Sequence, residues 1–216
     1  MDANVTDKRY KQFCHFKQQC LSKEDLSRKG SIDEPIRPLV ELLNSNQYYY
    51  TTSTCSGRIS LIEKPHDNAA VKKGGNFLLN SHEQIEFEPF YRLIRSFVEK
   101  DDSNTCLWLK FEPYIMHVQC YDLEKAHSLL NAATRSGCRN SGITLGKNDK
   151  FLVAVRSTSS MEIPLHCGDR FMLDENYLMF VCDESNRRLR ENLSRLESFM
   201  NEVEQTLKGQ VNSMAT

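Results

Sequence analysis

Nowhere in the 216 residues is there a run approaching the ~18 consecutive apolar side chains that a membrane-spanning helix needs. The first residues, Met1-Asp2-Ala3-Asn4-Val5, lack the charged-then-apolar pattern of a secretory signal. The eight cysteines (Cys14, Cys20, Cys55, Cys106, Cys120, Cys138, Cys167 and Cys182) include no C-x-x-C pair. That argues against a structural zinc site, so no metal is expected. Reduced thiols are the simple reading, with a cytoplasmic location expected and a nuclear one left open. There is no G-x-G-x-x-G after a strand, no G-x-x-x-x-G-K-[ST], no G-x-S-x-G and no H-E-x-x-H. Dinucleotide-binding, P-loop and serine-hydrolase chemistries lose ground accordingly. The chain also lacks bulk basicity: 28 Lys+Arg stand against 29 Asp+Glu, a net charge of -1. Any contact with nucleic acid must come from a local basic surface.

What is present is a globular composition, 39% hydrophobic and 26% charged, at a length that suits one large domain or two small ones. We expect one domain over 1–216, with a core over about 20–170. Residues 1–30 carry seven bases against four acids, and a short helix is expected over about 7–22. Ser31-Ile32-Asp33-Glu34-Pro35 opens another, with Asp33 able to cap it and Ile36, Leu39, Val40 and Leu43 forming its apolar face. Strands are expected at 48–53, 59–62 and 77–80, separated by Gly57 and by Gly74-Gly75. A helix over about 83–100 buries Phe87, Phe90, Leu93, Ile94 and Phe97. Residues 106–112 and 115–120 read as two strands joined antiparallel around Pro113-Tyr114. A helix from Asp122 to Ser136 ends at Gly137, and a hairpin follows at 142–146 and 151–157. A short strand around 161–165 precedes a long amphipathic helix over about 174–207. Its apolar seam is Leu178, Cys182, Leu189, Leu193, Leu196, Met200, Val203 and Leu207, with Ser185 in one polar slot. Packing on its own domain and self-association are both open to such a seam. Recurrent hairpins without strict alternation argue for an α+β fold with a mainly antiparallel or mixed sheet and flanking helices, not a Rossmann-like one. Each of the two central stretches offers strands plus one helix, which hints at a duplication.

Polar residues gather in five places. These are Asp25 to Asp33, Thr51 to Ile59, Leu109 to Pro113 running into His117-Val118-Gln119-Cys120, Ser136 to Ile143, and Ala154 to Thr158. In the second, hydroxyls line a strand end, the chain turns at Gly57, and Arg58 is presented. Small-residue turns expose backbone N–H groups to anions, and arginine adds a planar cationic fork. A plain hairpin turn with satisfied hydroxyls would look the same. Cys55 is either an inert core thiol or a nucleophile. His117 falls on the strand face opposite Tyr114, Met116, Val118 and Cys120, where it either orders the strand or serves a site. In the fourth cluster, Asn140 offers the paired donor and acceptor that can read a base edge.

Taken in order, these clusters resemble the tRNA wybutosine-synthesizing protein 3 family. Ser27-Arg28-Lys29-Gly30-Ser31-Ile32-Asp33, Thr51 to Ile59, Leu109 to Pro113, His117 to Cys120, Arg139 to Ile143 and Ala154 to Thr158 carry the likeness. It spans about residues 20 to 170. Thr54, where the family usually has serine, and Cys138, where it usually has an aromatic residue, depart from it. The resemblance implies an S-adenosylmethionine-dependent methyltransferase. Its implied substrate is the tricyclic guanosine-derived base beside the anticodon of phenylalanine tRNA, methylated on a ring nitrogen. It places substrate or cofactor binding on Ser27, Lys29, Ser53, Ser56, Arg58, Arg139, Asn140, Ser141 and Arg156. His117 is then a candidate base, with the carboxylates Asp33 and Glu112 behind it. A non-catalytic RNA-binding module, or a cysteine-dependent enzyme using Cys55, are the alternatives.

Overall fold

A computed structural model describes residues 3–22, 30–65, 75–100, 104–147, 150–167, 170–171 and 174–214. The chain divides into two compact units. The first is made of Met1–Ser56, Tyr114–Thr158 and Ser194–Thr216; the second is made of Gly57–Pro113 and Ser159–Leu193. Two long strands, β1 (Tyr49–Pro65) and β3 (Thr105–Cys120), and one 40-residue helix, α5 (Glu175–Met214), contribute a segment to each. No helix among the described residues is long and apolar enough to cross a membrane.

In the first unit the strand order is β1, β3, β5 (Lys150–Arg156) and β4 (Gly142–Gly146). β5 runs antiparallel to both β3 and β4. The alternation of β3 decides which face is dry. Tyr114, Met116, Val118 and Cys120 are buried on one side with Val153 and Val155 of β5. Helices α2 (Arg37–Ser45) and α4 (Leu123–Arg135) close over them with Leu39, Leu43, Leu129 and Ala133, joined by Leu196, Phe199 and Val203 of α5. Each fully buried leucine, valine or phenylalanine here contributes about 1.5–3 kcal/mol. α1 (Ala3–Leu21) docks through Phe13, whose ring packs against Tyr50 and Tyr121.

In the second unit the order is β2 (Asn76–Ser81), β1, β3, β6 (Met161–Cys167) and β7 (Arg170–Phe171). The β1–β2, β3–β6 and β6–β7 pairs are antiparallel. Ile59, Leu61, Leu107, Leu109 and Phe111 face α3 (Phe87–Val98) and the N-terminal part of α5, meeting Phe90, Ile94, Leu178 and Leu189. The antiparallel α+β expectation therefore holds, and the sheet is not Rossmann-like. Among the expected seam positions, Leu178, Cys182, Ser185, Leu189, Leu196 and Val203 are buried within their own units.

Four sequence expectations are corrected. The chain does not turn at Gly57: β1 runs unbroken through it, with Gly57 at φ 99, a left-handed value tolerated because glycine has no Cβ. Likewise 106–112 and 115–120 are one strand, not a hairpin. Residues 106–111 pair with β6 and 115–120 with β5, so Pro113 falls between the two ladders and its missing N–H interrupts neither. Asp33 does not cap its helix through the side chain. Its backbone carbonyl takes the Ile36 and Arg37 N–H groups, which leaves the carboxylate for another task. Finally, Cys106 and Cys167 face each other across β3 and β6 and form a disulfide, so the reduced-thiol expectation fails for that pair.

Candidate active site

The hydroxyl-rich part of β1 lies against β3 in the first unit. Thr52 Oγ1 donates to the carbonyl of His117 at 3.3 Å, and Ser53 Oγ lies 2.9 Å from His117 Nδ1. The end of this segment is held by Asp33, which is 7% exposed. Ser56 donates to its Oδ2 twice, from the backbone N–H at 2.9 Å and from Oγ at 3.1 Å. A buried carboxylate needs such partners, and two bonds from one residue fix the strand locally.

His117 sits on the face opposite the core, as its alternation requires. Burial lowers its pKa, and the Arg156 guanidinium lowers it further. Both act in one direction because each disfavours the imidazolium. The ring is neutral at neutral pH. With a hydrogen on Nδ1 donated to Ser53, the basic lone pair is on Nε2.

Register places Ala154 beside His117 and Gly142 beside Ala154. A Cβ added at Gly142 would meet nothing within 4 Å, and Gly142 does not occupy a left-handed φ. Neither packing nor backbone geometry therefore calls for glycine there, and the missing side chain leaves space on the face that carries His117.

The Arg139-Asn140-Ser141 loop owes its path to the end of α4. Gly137, at φ 93, takes the left-handed capping position, and Cys138 N–H donates to the carbonyl of Ala133 at 2.9 Å. Cys138 is buried, with Sγ 2.7 Å from the Tyr114 hydroxyl. Burial raises the pKa of both groups, so both remain protonated in the neutral range and anchor the loop rather than react. Arg139 and Asn140 are exposed on it, and Ser141 Oγ accepts the Arg156 N–H at 3.1 Å.

The structure thus links Ser53 with His117, and Ser141 with Arg156, and leaves Arg139 and Asn140 on the same loop. Ser56 is engaged by Asp33. Arg58 belongs to the second unit, where Nε donates to Glu112 Oε2 at 2.6 Å and the guanidinium lies 5.4 Å from the centre of the Phe77 ring. Ser27 and Lys29 lie outside the described residues. Sequence reasoning missed the Ala154–Gly142 row and the Asp33–Ser56 clamp. The first was legible only as small residues in two adjoining strands, whose register periodicity alone does not give. The second had no local signal, because Asp33 also reads as a helix cap.

On an antiparallel sheet outside the doubly wound class, a neutral imidazole lies against a serine hydroxyl and near the Arg156 guanidinium, groups able to take a proton and to hold an anion as a group-transfer enzyme requires. Comparison with known proteins is specific about which. Residues 15–205 match the family described as Methyltransferase TYW3. The human tRNA wybutosine-synthesizing protein 3 homolog is 39% identical over 198 residues, covering 91% of this chain and 74% of that protein. A protein of Pyrococcus furiosus, described as tRNA(Phe) 7-((3-amino-3-carboxypropyl)-4-demethylwyosine(37)-N(4))-methyltransferase 1, is 36% identical, covering 84% of this chain and 91% of its own length. Among solved structures, the PH1069 protein from Pyrococcus horikoshii superposes with a TM-score of 0.76 at 29% identity, covering 91% of this chain and 96% of that one. The chain belongs to the TYW3 methyltransferase family. It is an S-adenosylmethionine-dependent methyltransferase of wybutosine biosynthesis, with a tRNA substrate.

Proposed function

We propose that this chain methylates a ring nitrogen of the tricyclic guanosine-derived base 3′ of the anticodon in phenylalanine tRNA, an intermediate step of wybutosine synthesis. The observation that carries the reading is the neutral His117, hydrogen-bonded to Ser53 on an open face near Arg156. An anticodon-loop base is already single-stranded and can leave its stack for such a surface.

The donor set suits the cofactor. Arg156 and Arg139 provide guanidinium groups for its carboxylate, while Ser53, Ser141 and Asn140 provide hydroxyls and an amide for its sugar and base. The open space over Gly142 accepts a flat ring beside them. When bound, S-adenosylmethionine supplies a methyl group made electrophilic by its sulfonium. His117 takes a proton from the acceptor nitrogen where that nitrogen carries one, freeing the lone pair. Ser53 holds the imidazole with Nε2 as the basic atom. Ser56 keeps the hydroxyl strand in place through Asp33. Ser27, Lys29 and Arg58 are assigned to substrate or cofactor binding on their family motif.

The test is to incubate the protein with methyl-labelled S-adenosylmethionine and phenylalanine tRNA lacking the last steps of wybutosine. Label in the tricyclic base is the expected result. Binding of tRNA with neither cofactor binding nor label in the base would reduce the chain to an RNA-binding module.

A further inference from the structure

The second unit buries one face of its sheet under α3 and α5, and the other face carries Lys64, Trp108, Lys110 and Glu162, which the chemistry above does not use. On β3, Leu107, Leu109 and Phe111 point into the core, so Trp108, Lys110 and Glu112 point away from it. On β1, Ile59 and Leu61 point inward, so Arg58 and Lys64 share the outer face. Register adds Glu162 of β6 opposite Lys110.

These groups form a connected surface. Lys110 Nζ lies 2.6 Å from Glu162 Oε1, and Lys64 Nζ lies 3.2 Å from the same oxygen. Lys64 Nζ also sits 5.1 Å from the centre of the Trp108 ring. A single carboxylate therefore serves two ammonium groups beside an indole. The hydrogen bond from Lys110 lowers the Glu162 pKa, so it is a carboxylate at neutral pH. Strand-mounted cations flanking an aromatic platform match the chemistry of a single-stranded nucleic acid, which presents phosphates at intervals and flat bases between them.

We propose that this face, through Lys64, Trp108 and Lys110, is a docking surface for a single-stranded stretch of the tRNA substrate. The proposal rests on the tRNA reading above. Phosphates replace Glu162 as partners of the two ammonium groups, and the indole face that Lys64 covers takes a base. Glu162 is a built-in competitor: it holds both ammonium groups in place without RNA, and it must be displaced when RNA binds. Charge complementarity selects a polyanion as occupant, since no acidic group of the face other than Glu112 and Glu162 faces these cations among the described pairs.

The experiment measures affinity for phenylalanine tRNA against salt, alongside cofactor binding by calorimetry. Lys64→Ala with Lys110→Ala should lower the slope of log affinity against log salt by about 1.4, at roughly 0.7 per single-strand phosphate contact. Trp108→Ala should weaken binding about 5–150-fold with the slope unchanged, and Trp108→Phe should restore most of it. Glu162→Gln should tighten binding, a gain that a damaged fold could not produce. Cofactor binding should stay at the parent value throughout. An unchanged slope in the double variant, together with no gain in Glu162→Gln, overturns the docking surface. Methyl transfer at saturating tRNA would still proceed in that case, which separates this failure from a failure of the proposed reaction.

Discussion

Ser53 Oγ and His117 Nδ1 stand 2.9 Å apart, and the neighbouring Thr52 hydroxyl donates to the His117 carbonyl. Two successive side chains of β1 therefore fix one residue of β3, one through its ring and one through its backbone. If Nε2 receives the substrate proton, His117→Ala should lower single-turnover methyl transfer by about 10²–10⁴-fold with tRNA affinity nearly intact. Ser53→Ala should lower it less, because the imidazole remains but its orientation is freed. Thermal melting of the same variants is the control. A His117→Ala protein that melts early yet transfers methyl at full rate would make His117 a strand-ordering residue only.

The pH dependence follows from the same ring. Burial and Arg156 both lower the His117 pKa below its ordinary 6.5. The base form should therefore persist to lower pH than an ordinary histidine allows, and the acid limb of the rate profile should fall below 6.5. Arg156→Gln removes one of the two causes, so the limb should move to higher pH whatever happens to the maximal rate. Stability has a definite sign too. The unfolded chain binds the His117 proton more readily than the folded one, so stability contributed here is unaffected above pH 6.5. It declines as pH falls from 6.5 to the folded pKa, and then levels off. Titrating the His117 ring signals by NMR in both proteins checks the shift; an identical midpoint in Arg156→Gln would remove the guanidinium from the explanation.

Much of this architecture was legible because local patterns and tertiary packing agree. Ile36, Leu39, Val40 and Leu43 have helical spacing and are all buried in one core. Gly137 ends α4 where its chemistry demands. His117 was assigned to the face opposite Met116 and Val118 from alternation alone, and it lies there. The failures share one cause. Gly57 and Pro113 are strong turn signals, yet both lie inside long strands. What overrides them is ladder pairing with residues far along the chain, and sequence distance conceals it. The same blindness hid the Cys106–Cys167 pair, 61 residues apart, and the double bond from Ser56 to Asp33. Site residues were found as motifs; their mutual register was not.

The disulfide makes a countable prediction. Cys106 and Cys167 are bonded, and the other six cysteines are thiols. Protein denatured without reductant should titrate six thiols, and eight after reduction. Cys106→Ser with Cys167→Ser should lose about 2–4 kcal/mol of stability, since the bond closes a long loop in the unfolded chain. Eight thiols before reduction, in protein purified without reductant, would contradict the bond.

Asp33 separates a structural carboxylate from a catalytic one. It is 7% exposed, its Oδ2 receives both the N–H and the hydroxyl of Ser56, and its carbonyl receives the Ile36 and Arg37 N–H groups. One residue therefore ties the approach to α2 to the end of the hydroxyl strand. Asp33→Ala leaves the buried Ser56 N–H without this acceptor, a loss of about 1.5–3 kcal/mol for hydrogen bonds to a charged group. At roughly 2–4 °C per kcal/mol for a chain of this size, melting should fall by about 3–12 °C. Asp33→Asn keeps an oxygen that can accept the same two bonds, so it should recover most of the melting temperature. Its methyl-transfer rate decides the role. An amide cannot take a proton at neutral pH, so a base at this position would lose about 10²–10⁴-fold on the conservative change. The clamp predicts near-parent turnover in Asp33→Asn once the protein is folded, with the pH profile still following His117. Loss of turnover in a fully stable Asp33→Asn protein would transfer the proton-accepting role from His117 to Asp33.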